Sequence, residues 1–334
     1  MSLSGTNFLV QIKTTQVKFI AIIICCALIN LNASSKVFAQ DSIPHQHYFF
    51  LRHDNDYLNV AGQGTDRYYT AGLYMEYSFL AQKSILQKIL FAPKDSLPSF
   101  FTIGVTQWIT TPSDLDATIP VKNDYPYSGV LFIHLDREKL LSPQKIIIST
   151  LYLGVIGPAA LAETNQSVVH KYLKDELPEG WDNQLPNYPV INYGFTYEQS
   201  FFSMNHLAMN AFSATQIGTL LNTEKAGLDL AVSSRKRDAF PARPYQLNKK
   251  EAEHTSEIYF RIMPCVQFVA SNGMLQGSLF EKKNFYYVPD NEMERIVYEL
   301  SGTIGVRLHN FFISYSQIKQ SRLFKTVHAI LMAL

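Results

Sequence analysis

The chain has 334 residues, of which 47% are hydrophobic and 13% aromatic, and its formal net charge is +1. The length fits one large domain or two small ones. The charge balance excludes the basic excess that nucleic-acid binding needs. A mean hydropathy of -0.03 with so many aromatic residues suits a membrane barrel of alternating strands or a soluble β-rich enzyme.

The N-terminus reads as a secretory signal. Lys13 and Lys18 supply the positive region, residues 19–31 the apolar core, and Val37-Phe38-Ala39 a small-residue cleavage site. Residues 1–39 are therefore expected to be a signal peptide and 40–334 the folded domain. The competing reading is a transmembrane anchor, for which the apolar run is short. Cys25 and Cys26 lie in the apolar core, where Ile24 is too large for a lipoprotein cleavage site. Cleavage leaves only Cys265, so no internal disulfide is expected.

No later apolar run is long enough for a membrane helix. Short segments of period two take its place. In residues 73–79, Leu, Met, Tyr and Phe occupy one face, and the other includes Glu76 and Ser78. In residues 258–270, Ile258, Phe260, Ile262, Pro264, Val266 and Phe268 occupy one face, and the other includes Glu257, Arg261, Cys265 and Gln267. Near the end, Ile313 and Tyr315 alternate with Ser314 and Ser316. A lipid-facing barrel with a polar interior gives this pattern, and so does a soluble sandwich with its polar face outward.

The expected strands are 46–53, 68–80, 98–108, 127–137, 146–156, 190–201, 205–214, 220–232, 256–270, 293–307, 309–318 and 326–334. The even total of about twelve is what single-chain outer-membrane barrels require. An up-and-down course sends connections alternately to two ends. Segments 54–67, 109–126, 157–189, 215–219, 271–292 and 319–325 then share the end opposite both termini. Every chemically suggestive stretch falls there, at the expected extracellular end. Segments 81–97 and 233–255 are long for periplasmic turns. The basic stretch 234–254 reads as solvated surface.

Residues 151–184 form the most informative stretch. An apolar strand turns at Gly157-Pro158 and enters a short polar helix carrying Gln166 and His170, four residues apart and so on one face. The stretch closes on Gly180-Trp181-Asp182-Asn183-Gln184. A second suggestive stretch runs from His53-Asp54-Asn55-Asp56 to the run Thr65 through Gly72. Histidine suits a general base because it titrates near neutral pH. Carboxylate and amide oxygens suit a hard cation, whereas no Cys/His cluster suggests zinc. No Gly-x-Ser-x-Gly elbow is present, so the residues offer no catalytic serine signature.

Each residue also has a plainer reading. His170 alone would be a surface histidine, and Asn55-Asp56 alone turn chemistry. Asp54 beside them adds acidic density. Asp66-Arg67 reads first as a structural ion pair. Thr70 is equally an oxyanion donor or a strand residue. Trp181 reads as packing or an interface anchor, and Asp182, Asn183 and Gln184 as loop-shaping. His53, His134 and His309 read as structural.

In order, Asn55-Asp56, Thr65-Asp66-Arg67-Tyr68-Tyr69-Thr70-Ala71-Gly72, Gly154 to Ala159, Gln166 with His170, and Gly180-Trp181-Asp182-Asn183-Gln184 resemble the outer-membrane lipid A 3-O-deacylase family. The resemblance spans about residues 46–320. It implies an all-β fold, a twelve-stranded antiparallel transmembrane barrel with a short helix in one extracellular loop. It further implies an active site near the outer rim and calcium-dependent hydrolysis of the 3′ acyloxyacyl ester of lipid A. By the same resemblance His170 would be the base, Asn55 and Asp56 would lie at the Ca2+ and catalytic centre, and Thr70 and Gln166 would support them. Glu176 matches loosely as a further metal carboxylate. The expected partners are lipopolysaccharide and outer-membrane lipids, with the chain acting as a monomer.

Two departures stand out. The family often carries a basic residue before its Pro-Tyr-Ala-Gly turn, where this chain has Asp124-Tyr125-Pro126-Tyr127-Ser128-Gly129. Residues 326–334 lack the terminal aromatic common in such barrels. A catalytically silent barrel or channel and a phospholipase-like esterase stay open beside the deacylase.

Overall fold

The computed structural model describes residues 47–55, 68–81, 84–93, 99–119, 121, 124–235, 256–277, 287–308, 311–326 and 330–333. The expected signal peptide, Asp56, Asp66, Arg67 and His309 lie outside these. The described strands are β1 (His47–Asn55), β2 (Tyr68–Ala81), β3 (Ser99–Thr111), β4 (Ser128–Ser142), β5 (Lys145–Ile156) and β6 (Tyr188–Met204). They continue with β7 (Leu207–Gly218), β8 (Leu221–Ser233), β9 (Ser256–Asn272), β10 (Ile296–Leu308), β11 (Phe311–Gln320) and β12 (Ile330–Ala333). Each is antiparallel to its neighbour in sequence, and β12 pairs with β1 to close the barrel. The expected strands are found within a few residues, except that β12 begins at Ile330 rather than 326, β4 extends to Ser142 and β7 extends to Gly218.

Alternation explains the wall. Leu51, Met75, Val105, Ile133, Leu153 and Ile191 are register partners in turn across β1 to β6. All six are exposed, which is one continuous apolar row on the outside. The row predicted for residues 258–268 also faces outward, with Ile258, Phe260, Ile262, Val266 and Phe268 exposed. Side chains of the opposite parity line the interior, where their charges need partners in a low dielectric. Arg261 makes two bonds to Asp229, of 2.5 and 2.8 Å, and Lys225 meets Glu299 at 2.7 Å. His134 meets Asp136 at 3.1 Å. No described helix is long and apolar enough to cross a membrane.

Inward-facing residues at the long-loop end gather into apolar clusters. One includes Tyr125, Val269, Val297 and Phe324, and a second Val130, Phe132, Ile156 and Val190. They fill the barrel mouth at that end. At the opposite end the long connection after β2 is no simple turn. Its residues 84–93 lie along the outer wall, where Leu90 is buried. Arg137, on the outward row of β4, donates to the Leu90 carbonyl at 3.1 Å, and Ser149 of β5 to the Phe91 carbonyl at 2.8 Å.

Candidate functional site

The connection from β5 to β6 builds the site. Gly157, at φ 102°, turns the chain out of β5; this left-handed region favours glycine. A Cβ there would come within 2.6 Å of the Pro186 backbone. A single 3-10 turn at Pro158–Ala160 follows, and Leu161 at φ 60° starts helix α1 (Ala162–Leu173). Lys174 in the left-handed region ends it, its N–H capping the His170 and Lys171 carbonyls.

The buried residues of α1 are Ala162, Gln166 and His170, spaced by four and therefore one stripe. That stripe faces the outside of the barrel. On β3 the outward row runs Ile103, Val105, Gln107, Ile109, Thr111. The first two are exposed, and the last three are covered. Gln107 Nε2 donates to the Ala160 carbonyl at 2.6 Å, and Asn165 Nδ2 donates to Gln107 Oε1 at 2.6 Å. Ile109 packs with Tyr127, Ala162 and Trp181. Gly129, on the outward row of β4, lets α1 approach closely, since a Cβ there would lie 2.3 Å from Ala162 Cβ. Away from this stripe, α1 leaves Val168, Val169 and Tyr172 exposed.

Two hydrogen bonds fix the chemistry of the stripe. His170 Nδ1 bonds the Glu176 main-chain carbonyl. A carbonyl only accepts, so Nδ1 carries the proton and Nε2 the lone pair of the neutral ring. Trp181 Nε1 donates to Gln166 Oε1 at 2.8 Å, which orients the Gln166 amide.

Trp181 is 2% exposed, which of the two expected readings, packing and interface anchor, favours packing. Its ring lies 4.9 Å from that of Tyr127. Burial of such a side chain, about 200 Å² at about 25 cal/mol/Å², is worth at most about 5 kcal/mol toward docking the loop. The same environment raises the Tyr127 phenol to about 12, with burial the largest cause. Asn183 Nδ2 donates to the Thr118 carbonyl at 2.8 Å, in keeping with a loop-shaping role.

The remaining candidates approach from β1 and β2. Asn55 continues the outward row of Phe49 and Leu51. It pairs with Ala71, which pairs with Ile109. Two strand spacings, about 10 Å, thus separate the Asn55 backbone from the residue packed against Ala162 and Trp181. A bulge between Tyr69 and Ala71 brings Thr70 Oγ1 to 2.6 Å from Thr111 Oγ1.

Asp54 does not join Asn55. The period of two sends it inward, where it meets Arg52 Nε at 3.1 Å and accepts from Tyr69 Oη at 3.0 Å. Its acidic density therefore belongs to the interior network. Glu176 reaches His170 through its main chain, and its side chain is exposed.

Among the described residues no group of three or more His, Cys, Asp or Glu could hold a metal. The oxygen donors of Asn55 and Glu176 suit calcium in kind. Asp56 lies outside the described residues, so no coordination geometry follows.

Sequence reasoning missed Gln107, Gly129 and the bond from Trp181 to Gln166. One signal was available, the change of the outward β3 row from Ile103 and Val105 to Gln107.

The comparisons agree with this architecture. A family model described as outer membrane protein LpxR matches residues 21–330. A solved structure, LpxR from Salmonella typhimurium, superposes with a TM-score of 0.66 at 18% identity, covering 87% of this chain and 97% of that one. No curated protein matches the chain. With a family match over nearly its whole length, the chain belongs to the LpxR family of outer-membrane β-barrel proteins.

Proposed function

We propose that the protein is a lipid A deacylase that hydrolyses the 3′ acyloxyacyl ester in the outer leaflet, with His170 activating water. Family membership supports a lipid A deacylase in general. One observation carries the finer reading: the His170 ring, buried on the same helix stripe as Gln166, bonds through Nδ1 and so holds its lone pair on Nε2.

In the proposed step Nε2 takes a proton from water as the water oxygen bonds to the ester carbonyl carbon. The carbonyl oxygen becomes an oxyanion, held by hydrogen-bond donors such as Gln166 Nε2 and Thr70 Oγ1. The ester C–O bond then breaks, and His170 returns the proton to the leaving alkoxide. The products are the acyloxyacyl group, released as a free carboxylic acid, and a hydroxyl on the lipid. We assign Asn55, Asp56 and Glu176 to a calcium site, where the ion would polarise the carbonyl when bound.

The packed barrel mouth argues against a channel. The placement of α1 on the outer wall, with Val168, Val169 and Tyr172 turned outward, suits a substrate that stays in the bilayer.

Mass spectrometry of lipid A after incubation with purified protein tests the proposal, with calcium or chelator and with His170→Ala alongside. Loss of one acyloxyacyl group only with calcium and intact His170 is expected. Lipid A left untouched by the folded wild-type barrel would overturn it. Phospholipid hydrolysis in that case would reassign the site to a phospholipase.

A further inference from the structure

We infer that Trp181 is a positioning residue of this hydrolysis, whose indole N–H fixes the Gln166 amide so that its NH2 group faces the carbonyl oxygen under attack. The inference rests on the reading of Gln166 and His170 given above.

An indole nitrogen only donates. Of the two ends of the Gln166 amide, only Oε1 can accept its hydrogen. The orientation of an amide is usually a matter of choice between near-identical atoms. Here the chemistry of the partner decides it, and Nε2 must point away from Trp181.

Gln166 Nε2 is buried and has no hydrogen-bond partner among the described residues. Leaving such a donor unpaired costs about 1–3 kcal/mol. Folds carry that cost chiefly at sites where a ligand supplies the acceptor. The acceptor class follows from the neighbour. His170 lies one turn along the same buried stripe, about 6 Å farther along the helix axis. A base and an amide donor at that separation bracket one carbonyl carbon, its attacking water and its oxygen. An NH2 group held in place before the reaction stabilises the oxyanion without reorganising as charge develops.

Trp181 is itself held firmly. Its carbonyl accepts from Gln184 N at 3.0 Å, which closes the 3-10 turn Trp181–Asn183. Tyr127 packs against the indole and donates to the Leu115 carbonyl at 3.2 Å. Gly180 keeps the loop flush with Tyr127, because a Cβ there would lie 2.3 Å from the phenol ring. The Trp181 indole is therefore a fixed donor, and the freedom it removes belongs to Gln166.

The test is a double-mutant cycle on full-length protein, reading kcat and KM for lipid A deacylation. Trp181→Phe keeps the aromatic body and removes the N–H. A fall in kcat of about 10- to 100-fold with KM little changed is expected. The same substitution in a Gln166→Ala background is expected to cost nothing further. An equal loss in both backgrounds, or no loss in either, overturns the inference.

Gln166→Ala with wild-type turnover, beside an inactive His170→Ala, would instead remove Gln166 from the site and the inference with it. A wild-type protein inactive on lipid A refutes the functional reading alone. The hydrogen bond is then decided without activity. The chain has two tryptophans, so indole 15N labelling gives two resonances that Trp181→Phe assigns. Gln166→Leu is expected to move the Trp181 resonance and speed its exchange with water. An unmoved resonance overturns the inference.

Discussion

Gly129 sets the distance between α1 and the barrel wall, and a single methyl group at this position tests the whole arrangement. A Cβ there would lie 2.3 Å from Ala162 Cβ, where ordinary contact begins at 3.4 Å. The first turn of α1 must therefore retreat by about 1.1 Å in Gly129→Ala. Gly129 is not among the residues with positive φ, so alanine strains only this contact and not the backbone. A displacement near 1 Å at a reacting group costs on the order of 100-fold in rate. We therefore expect kcat to fall by about that factor while the barrel still assembles. Removing the other methyl group should reverse the loss. With Ala162→Gly added, the next neighbours of the new Cβ are Ala160 Cβ and Ala162 Cα, both at 3.5 Å. The assay is lipid A deacylation by the two single variants and the double variant, with heat-modifiable gel migration to confirm folded barrels. Wild-type activity in Gly129→Ala, or a double variant no better than that single variant, would refute the reasoning.

Burial raises the Tyr127 phenol from 10.0 to about 12. The folded protein keeps this proton to higher pH than the unfolded chain. Its contribution to stability is therefore full below pH 10 and lost as pH rises through about 12. The difference in phenolate absorbance between wild type and Tyr127→Phe should have its midpoint near the higher value, and a midpoint near 10.0 would show an open rim.

Asp124 lies two residues before Pro126, and its carboxylate is already engaged. It accepts from Ser113 N at 2.8 Å, Ser113 Oγ at 2.5 Å and Tyr125 N at 2.7 Å. Asp124→Lys is expected to loosen the rim by about 1–3 kcal/mol rather than improve binding. A lower Tm with no fall in KM bears this out, and an unchanged Tm refutes it.

The strands were legible because one physical demand repeats along each of them. Lipid outside and charge inside force a period of two, and rows such as Ile258 to Phe268 can be read without a structure. The site was legible in part. The spacing of Gln166 and His170 put both on one stripe of a helix. Which wall that stripe covers depends on Gln107, Ile109 and Gly129, whose roles arise only when a loop folds back on them. Asp54 misled by proximity, since adjacent strand residues point to opposite faces and only Asn55 shares the outer wall. The connection after β2 looked too long for a turn because part of its length lies on the outer wall. The outward-row cation Arg137 was the local sign of that cover.

The position of α1 outside the wall has a kinetic consequence. A catalyst built on the lipid-facing surface meets an amphiphile by lateral diffusion, in two dimensions. The concentration that governs its rate is then the mole fraction of substrate in the surrounding film, not the amount per volume of solution. Diluting lipid A with inert detergent at constant bulk concentration should slow turnover in proportion to the surface fraction. The barrel wall is the rigid post against which the helix is held.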